Sequence, residues 1–251
     1  AEAETLQQLL QEADIRTDLL MRSPRRITTT KTRVMSRNQQ MLRLDAEIND
    51  DIDTQDEHPF IDIVLKFLQR EKPQVVIFED YNKGVLKENV IRHMLAHCRE
   101  IGVVTAVDPK KTNFLAYRNV TIFKPNLKEV RDGLGLSLTG IEEPALNRAH
   151  ELLREQLEHQ VSFITLSEHG VFYNDGHRSG KIPSHRRNIA DVSGAGDTVV
   201  ATAALVYALT QDAALMSAIS NIAGGLVCEE VGVVPVRKEL LLEEATRLLK
   251  Q

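Results

Sequence analysis

Short apolar runs alternate with amphipathic helical stretches from Lys72 to the end of the chain, and this alternation limits the possible folds more than any other feature. The runs are rich in Val, Ile and Phe, which is typical of buried strands. Strands joined through helices predict an α/β fold, a parallel sheet with helices on both faces. The predicted strands are Val75 to Phe78, Val103 to Val107, Val120 to Phe123 and Val161 to Leu166.

The remaining segments vary in pattern. Leucines at helical spacing predict a helix over Ala1 to Leu20, and the Thr- and Val-rich stretch Ile27 to Asp45 predicts exposed strands. Asn49 to His58 is acidic and poor in apolar residues, so we expect a loop there. Val171 to Tyr173 and Lys181 to Ile182 predict an antiparallel pair. The further predicted helices are Glu88 to Glu100, Leu127 to Gly133, Glu142 to Gln160, Gly194 to Leu209, Ala213 to Glu229 and Lys238 to Lys250.

Composition narrows the class of protein. Among 251 residues, 31 are Lys or Arg and 36 are Asp or Glu, and the net charge of −5 argues against a general binder of nucleic acid or membrane surfaces. Cys98 and Cys228 are too few for a disulfide framework and predict free thiols in a reducing compartment. Apolar runs are too short to span a bilayer, and no signal peptide opens the chain. The histidines lack a partner pattern, so we expect them at the surface.

The sharpest local pattern is the glycine turn Asp191-Val192-Ser193-Gly194-Ala195-Gly196-Asp197-Thr198, which precedes an apolar helix. Backbone amides at such a helix start attract anions. A carboxylate in the same turn would repel a phosphate, unless it takes a proton from an attacking hydroxyl. The residues alone leave a second interpretation open, in which Asp197 only caps the helix.

Four further polar segments follow predicted strands, where parallel sheets bind their ligands. They are Glu79 to Gly84, Asp108 to Lys111, Lys124 to Glu129 and Ser167 to Gly170. Asp108 and Lys83 are candidates for contact with substrate or phosphate. A turn with exposed lysines explains the same residues, and the pattern does not decide between the two.

The glycine turn resembles the carboxyl-terminal signature of the ribokinase-like, or pfkB, carbohydrate kinases. The resemblance extends from about Lys72 to the end of the chain and implies a three-layer αβα, Rossmann-like sheet with a small β-lid. It also implies ATP and Mg²⁺ as cofactors, with Asp197 as catalytic base and the amides of Gly194, Ala195 and Gly196 as an anion hole. The segment Asn126-Leu127-Lys128-Glu129 matches the family's Asn-x-x-Glu, in which Asn126 and Glu129 hold Mg²⁺ through water. The implied nucleotide contacts are Ser167, Glu168, Gly170, Asn221, Gly224 and Gly232.

One subgroup is more similar than the rest. Thr28-Thr29-Thr30-Lys31-Thr32-Arg33, Asn38-Gln39-Gln40 and Asp80 to Leu86 are similar to segments of bacterial heptose 7-phosphate kinases. This similarity implies phosphorylation of the anomeric hydroxyl of heptose 7-phosphate, for ADP-heptose and lipopolysaccharide core synthesis in the cytoplasm. It assigns 27–45 to a lid that also forms a homodimer, and 1–26 with 46–251 to the kinase domain. The implied substrate contacts are Arg33, Asn38, Arg43, Lys83 and Asp108.

The chain also departs from the family. The family's first strand and its Gly-Gly-x-x-x-Asn segment are not found, so we expect the chain to start part-way through the fold. Val233 stands where relatives often have Thr, and the His-x-Gly-His motif of a fused adenylyltransferase is not found. Two alternatives stay open, a kinase for another sugar or nucleoside and an inactive nucleotide-binding fragment. A dinucleotide-dependent oxidoreductase is disfavoured, since no Gly-x-Gly-x-x-Gly opens a βαβ unit.

Overall fold

The computed structural model describes residues 2–36, 39–135 and 140–249. Its larger sheet has six strands in the order β3-β4-β5-β6-β7-β8. The first four run parallel, and the last two add antiparallel partners at one side. The strands are β3 (Val75–Glu79), β4 (Val104–Asp108), β5 (Ile122–Phe123), β6 (Val161–Thr165), β7 (Val171–Asn174) and β8 (Ser179–Ile182). The predicted parallel sheet and antiparallel pair are both confirmed.

Both faces of the sheet are covered by helices, as the apolar strands predict. Successive strand residues point to opposite faces. On β4, Ala106 joins one hydrophobic cluster and Val107 joins the other. The helices are α1 (Glu2–Glu12), α2 (Thr54–Glu71), α3 (Glu88–Glu100), α4 (Leu127–Leu134), α5 (Glu143–Leu157), α6 (Ala195–Thr210), α7 (Ala213–Val227) and α8 (Lys238–Leu248). Residues of α3, α4 and α5 pack into the first cluster and residues of α6 and α7 into the second, which gives the three-layer αβα arrangement.

The expected loop at Asn49 to His58 is wrong, since α2 begins within it at Thr54. Asp53 caps this helix, with its side chain accepting a hydrogen bond from the Asp56 backbone N–H at 3.0 Å. Acidic residues stabilise the first turn of a helix, because the backbone amides there carry partial positive charge. The acidic composition that suggested a loop is therefore the start signal of a helix.

The first helix is shorter than predicted. It ends at Glu12 rather than Leu20, and Asp14 takes a left-handed backbone conformation with φ 57° that stops it. A separate antiparallel hairpin follows, formed by β1 (Thr30–Ser36) and β2 (Gln39–Ala46), and it confirms the strands expected near 27–45. No helix of the described ranges is long and apolar enough to cross a membrane.

Two histidines contradict the expected surface placement. His150 and His159 are buried, and each ring hydrogen-bonds the hydroxyl of Ser162, at 2.9 and 2.6 Å. Burial lowers the pKa of His150 to about 4 and that of His159 to about 3. Both rings are therefore neutral at physiological pH and belong to the core, where a shared hydroxyl hydrogen-bonds one nitrogen of each ring.

Candidate active site

The glycine turn is folded around the carboxylate of Asp191. One oxygen accepts a hydrogen bond from the Ser193 N–H at 2.9 Å, and the other accepts one from the Gly232 N–H at 3.1 Å. Gly194 has φ 78°, a conformation that a residue with a side chain rarely adopts, and it caps α6. Asp191 thus shapes the turn and ties it to the Gly232 loop, while Gly194 directs the chain into α6.

Asp197 lies in the first turn of α6, beside carboxylates from two neighbouring strands. Oxygen atoms of Glu79, Asp108 and Asp197 all lie within 4.8 Å of one another. Glu79 ends β3 and Asp108 ends β4, and the two are register partners in the sheet. Burial raises the pKa of Glu79 to about 7, and the charges of Asp197 and Asp108 add to this effect.

Two lysines balance this group of carboxylates. Lys124, which is 3% exposed, forms an ion pair with Asp108 at 3.0 Å. Lys110 bridges Asp108 at 3.0 Å and Glu129 at 3.1 Å. Burial lowers the pKa of Lys110, but its ion pairs with Asp108 and Glu129 outweigh this, so the pKa stands above its ordinary value. At the carboxyl ends of the strands, the carboxylates of Asp108 and Glu129 are therefore paired with lysine side chains.

The four residues Asn126 to Glu129 start α4 at the same edge of the sheet. Asn126 accepts a hydrogen bond from the Glu129 N–H at 2.9 Å, and Glu129 accepts one from the Asn126 N–H at 2.8 Å. This capping box occupies one oxygen of Glu129, and Lys110 holds the other. Leu127 packs against the first hydrophobic cluster, so its side chain is part of the core.

A cavity of about 590 Å³ lies beside the glycine turn. Five of the six predicted nucleotide contacts line it together with three residues of the turn: Ser167, Glu168, Gly170, Asn221, Gly224, Val192, Ala195 and Gly196. Gly232 does not line it and acts through Asp191. Sequence reasoning missed the lining segment Ser184 to Arg187, whose cationic run directly before the glycine turn was the available signal.

A second cavity, of about 300 Å³, is lined by residues next to the glycine turn. Its lining joins the start of the hairpin with the end of β3 and the loop after it: Thr29, Lys31, Glu79, Asp80, Tyr81, Lys83, Val85 and Leu86. Tyr81 connects this cavity to the glycine turn, since its hydroxyl donates a hydrogen bond to Asp197 at 2.7 Å. Asp197 is therefore next to both cavities, because its chain neighbour Gly196 lines the first and its partner Tyr81 lines the second.

The expected basic face of the hairpin is partly neutralised. Lys31 pairs with Asp45 at 3.1 Å and with Glu47 at 3.3 Å. Arg43 also pairs with Asp45, at 2.9 Å, and Lys83 pairs with Glu47 at 2.6 Å. These acids correct the expectation of a free cationic surface.

Arg33 is different from these paired cations. It lies opposite Arg43 in the hairpin, and it makes no ion pair with any residue of the described ranges. Asn38, the remaining predicted substrate contact, lies outside the described residues.

The arrangement of the glycine turn and the strand ends can be compared with that of known protein families. A family model described as pfkB family carbohydrate kinase matches residues 1–238. The chain belongs to the pfkB family of carbohydrate kinases. It is thus a phosphotransferase domain of a class whose acceptor is a sugar hydroxyl.

Similar curated proteins carry the name bifunctional protein HldE. The one from Methylobacillus flagellatus is 34% identical over 246 residues, which are 97% of this chain and 49% of that protein. The one from Chromohalobacter salexigens is 37% identical over 232 residues, 92% of this chain and 46% of that protein. The chain therefore spans about half the length of these relatives.

Solved structures agree on the fold. Phosphofructokinase-2 from Escherichia coli, in its tetrameric inhibited form, superposes with a TM-score of 0.74 at 15% identity, over 91% of this chain and 74% of that one. Its complex with potassium gives a TM-score of 0.70, over 83% of this chain and 67% of that one. The ribokinase-like fold expected from the sequence is confirmed.

Proposed function

We propose that this domain transfers the γ-phosphoryl group of ATP to the anomeric hydroxyl of D-glycero-D-manno-heptose 7-phosphate, giving the 1,7-bisphosphate for ADP-heptose and lipopolysaccharide core synthesis. One observation carries the proposal. Asp197 directly follows Ala195 and Gly196, which line the larger cavity, and it accepts a hydrogen bond from Tyr81, which lines the smaller cavity together with Lys31 and Lys83. A base in that position can reach a hydroxyl on one side while the anion-binding amides face the other.

ATP would occupy the larger cavity. Its 590 Å³ suit a nucleotide, and it ends at Ala195 and Gly196, where the amides of α6 begin. These amides, with that of Gly194, would stabilise the charge on the transferring phosphoryl group. Gly196 lies next to the charged strand ends, since a Cβ there would be at ordinary contact distance, 3.7 Å, from both Lys124 Nζ and Asp108 Oδ2.

The sugar would occupy the smaller cavity, with its anomeric hydroxyl toward Asp197. Asp197 takes the hydroxyl proton as the sugar oxygen bonds to the γ-phosphorus, and the bond to ADP breaks on the far side. Positioned base catalysis of this kind contributes roughly 10²–10⁴-fold in rate.

Mg²⁺ fits the donor set at the strand ends. Carboxylate oxygens of Glu79 and Asp108 lie within 4.8 Å of each other at the ends of β3 and β4, and oxygen ligands are those that Mg²⁺ prefers. Glu129 and Asn126, at the adjacent start of α4, would hold the ion through water. When bound, Mg²⁺ neutralises charge on the nucleotide phosphates. Asp108 and Lys124 are charged neighbours that keep this edge electrostatically balanced.

A phosphorylated acceptor is favoured by the cations around the smaller cavity. Lys31 and Lys83 line it, and Arg33 lies on the hairpin above the same side. A sugar phosphate could exchange places with Asp45 and Glu47 as partner of these cations, since both acids pair with them at the surface. Arg43, released from Asp45, would join the same contact.

We further propose a homodimer through the lid. Cross-strand partners share a face of the hairpin, so Val34, Leu42 and Leu44 lie together opposite the charged face. These three side chains are 45%, 52% and 56% exposed, which is typical of a surface that a second copy covers. We place the enzyme in the bacterial cytoplasm, where ATP and its sugar substrate meet.

The test is an ADP-release assay of the intact protein that carries this chain. We expect turnover with heptose 7-phosphate and far slower turnover with unphosphorylated heptose, ribose, fructose or adenosine. Equal rates with the unphosphorylated heptose would refute the phosphate-recognition step. Preference for fructose or adenosine would support the alternative of another pfkB kinase, and no turnover with any acceptor would support the non-catalytic fragment.

A further inference from the structure

Tyr81 makes a contact that the proposed mechanism has not used. Its hydroxyl donates to Asp197 Oδ1 at 2.7 Å, although the two residues are 116 positions apart in the sequence. Tyr81 belongs to the loop after β3, and Asp197 belongs to the first turn of α6. Among the described residues, no other side chain hydrogen-bonds the Asp197 carboxylate.

The loop that carries Tyr81 is firmly anchored beneath it. Asp80 is 3% exposed and accepts hydrogen bonds from the Asn82 N–H, from Asn113 and from Tyr117, at 2.8, 3.2 and 2.7 Å. Gly84 packs so closely that a Cβ there would lie 1.9 Å from a backbone oxygen of the preceding segment. Tyr81 is therefore held by a buried network rather than by its own side-chain contacts alone.

The phenol stays a donor over the working pH range. Burial raises the pKa of Tyr81, and the hydrogen bond to Asp197 and the charges of Glu79 and Asp108 raise it further. A carboxylate has two oxygens, so the bond to Oδ1 leaves Oδ2 for another hydroxyl. Tyr81 also lines the smaller cavity, so its hydroxyl links the wall of that cavity to the Asp197 carboxylate.

We propose that Tyr81 is the positioning residue of the base: it fixes the orientation of the Asp197 carboxylate through the hydrogen bond to Oδ1, so that Oδ2 faces the acceptor hydroxyl. The proposal rests on the proposed function for the identity of Asp197 as base. Glu79 and Asp108 lie beside Asp197 and repel its charge, so a donor on this side offsets that repulsion. Lys124 pairs with Asp108 and Lys110 with Asp108 and Glu129, which leaves Tyr81 as the donor to Asp197.

The kinetic test is Tyr81→Phe, with Tyr173→Phe as matched control. Tyr173 lies on β7, away from both cavities. We expect Tyr81→Phe to lower kcat about tenfold, as loss of a hydrogen bond to a charged group implies, and to leave the KM of the sugar within about twofold. The KM for ATP should stay within about twofold, and the Tyr173 variant should match the unaltered protein.

A residue that only lined the cavity, without positioning Asp197, would behave differently. Tyr81→Phe would then raise the KM of the sugar and leave kcat unchanged, and that result would overturn the proposal. A profile identical to the unaltered protein in every respect would overturn it as well.

A substrate-free measurement separates this proposal from the proposed function. Urea unfolding of Tyr81→Phe, Asp197→Ala and the double variant gives the coupling between the two side chains. Additive effects would mean that the contact does not form, which refutes the positioning role. Clear coupling without turnover of heptose 7-phosphate would refute the substrate alone, and kcat and KM would then be measured with the sugar that the protein does phosphorylate.

Discussion

The carboxyl edge of the sheet and the β1–β2 hairpin are both rich in charge, but they hold it in opposite ways. At the edge, Glu79, Asp108, Lys124 and Asp197 come from β3, β4, the residue after β5 and α6, and the side chain of Lys124 is only 4% exposed. On the hairpin, Lys31 pairs with its own cross-strand partner, and its side chain is 32% exposed. The edge thus fixes charges in space through the fold, whereas the hairpin balances them locally in contact with water.

The sheet edge and the hairpin therefore suit different tasks, catalysis at the edge and binding of a charged ligand at the hairpin. Buried charges held by several elements cannot rearrange, so they suit a reaction that needs a base and an anion hole at fixed positions. Exposed pairs contribute little to stability and exchange partners readily, so they suit a surface that closes on a charged ligand. Substitutions at the sheet edge should therefore have larger effects on rate and stability than substitutions of the exposed ion pairs on the hairpin.

The largest effect is expected at Asp197. Asp197→Asn keeps the shape of the side chain but cannot accept the proton, so kcat should fall by about 10²–10⁴-fold, or roughly 3–5 kcal/mol of barrier. Binding of ATP, measured by calorimetry, should change little. Asp62→Asn, an exposed change on α2, is the matched control and should leave kcat unaltered. A near-normal kcat in Asp197→Asn would restore the helix-cap interpretation.

The second prediction compares the two regions directly. Lys124→Met removes the buried lysine that pairs with Asp108 and should lower the free energy of unfolding by about 3 kcal/mol. Lys31→Met removes a partly exposed pair, so the change should be much smaller. Urea denaturation of both variants gives the comparison, and equal losses would mean that burial does not distinguish the regions.

A smaller effect is expected at the start of α4. Glu129→Gln keeps the capping geometry but removes the charge that Lys110 and a hydrated Mg²⁺ would share. The Mg²⁺ concentration for half-maximal rate should rise several-fold while the melting temperature stays similar. Glu155→Gln on α5 is the control of the same chemistry. An unchanged Mg²⁺ titration of Glu129→Gln would argue for a purely structural carboxylate.

The smallest effect concerns the pH dependence of the free energy of unfolding, which should have opposite signs for Glu79 at the sheet edge and Glu47 at the hairpin. The pKa of Glu79 rises from 4.5 to about 7 in the fold, so its contribution to stability is lost as the pH rises from about 4.5 to 7. The hydrogen bond from Lys83 lowers the pKa of Glu47, so the contribution of Glu47 is present above 4.5 and is lost as the pH falls.

Unfolding free energies from pH 4 to 8 would test these signs. Relative to the unaltered protein, Glu79→Gln should gain stability as the pH rises, and Glu47→Gln should lose it. Parallel curves for the two variants would contradict the difference in environment.

Sequence reasoning was accurate where local pattern decides structure. The apolar runs predicted every strand of the parallel sheet, and the glycine turn was placed at the start of α6. It failed at α2, where an acidic first turn was interpreted as a loop although Asp53 caps a helix. The failure has a physical reason: loops and helix starts favour the same acidic residues.

The sequence also did not predict which polar residues are buried or which charged residues they pair with. His150 and His159 are packed against Ser162, and nothing in their spacing distinguishes them from surface histidines. The same holds for Asp45 and Glu47, which neutralise a hairpin that looked cationic along the chain. In each case the partner is set by packing between elements, which a single sequence does not encode in a local pattern.

The sequence by itself determined the alternation of strands and helices, the turn at Gly194 and the placement of Asp197 in a first helical turn, because each depends on neighbours within a few residues. Only the tertiary structure decided that Tyr81 donates to Asp197, that Glu79 and Asp108 lie beside it, and that cavities lined by Gly196 and by Tyr81 lie next to it. Those contacts join residues more than 80 positions from Asp197, and they exist because parallel strands bring their carboxyl ends to one edge of the sheet, where α6 also begins.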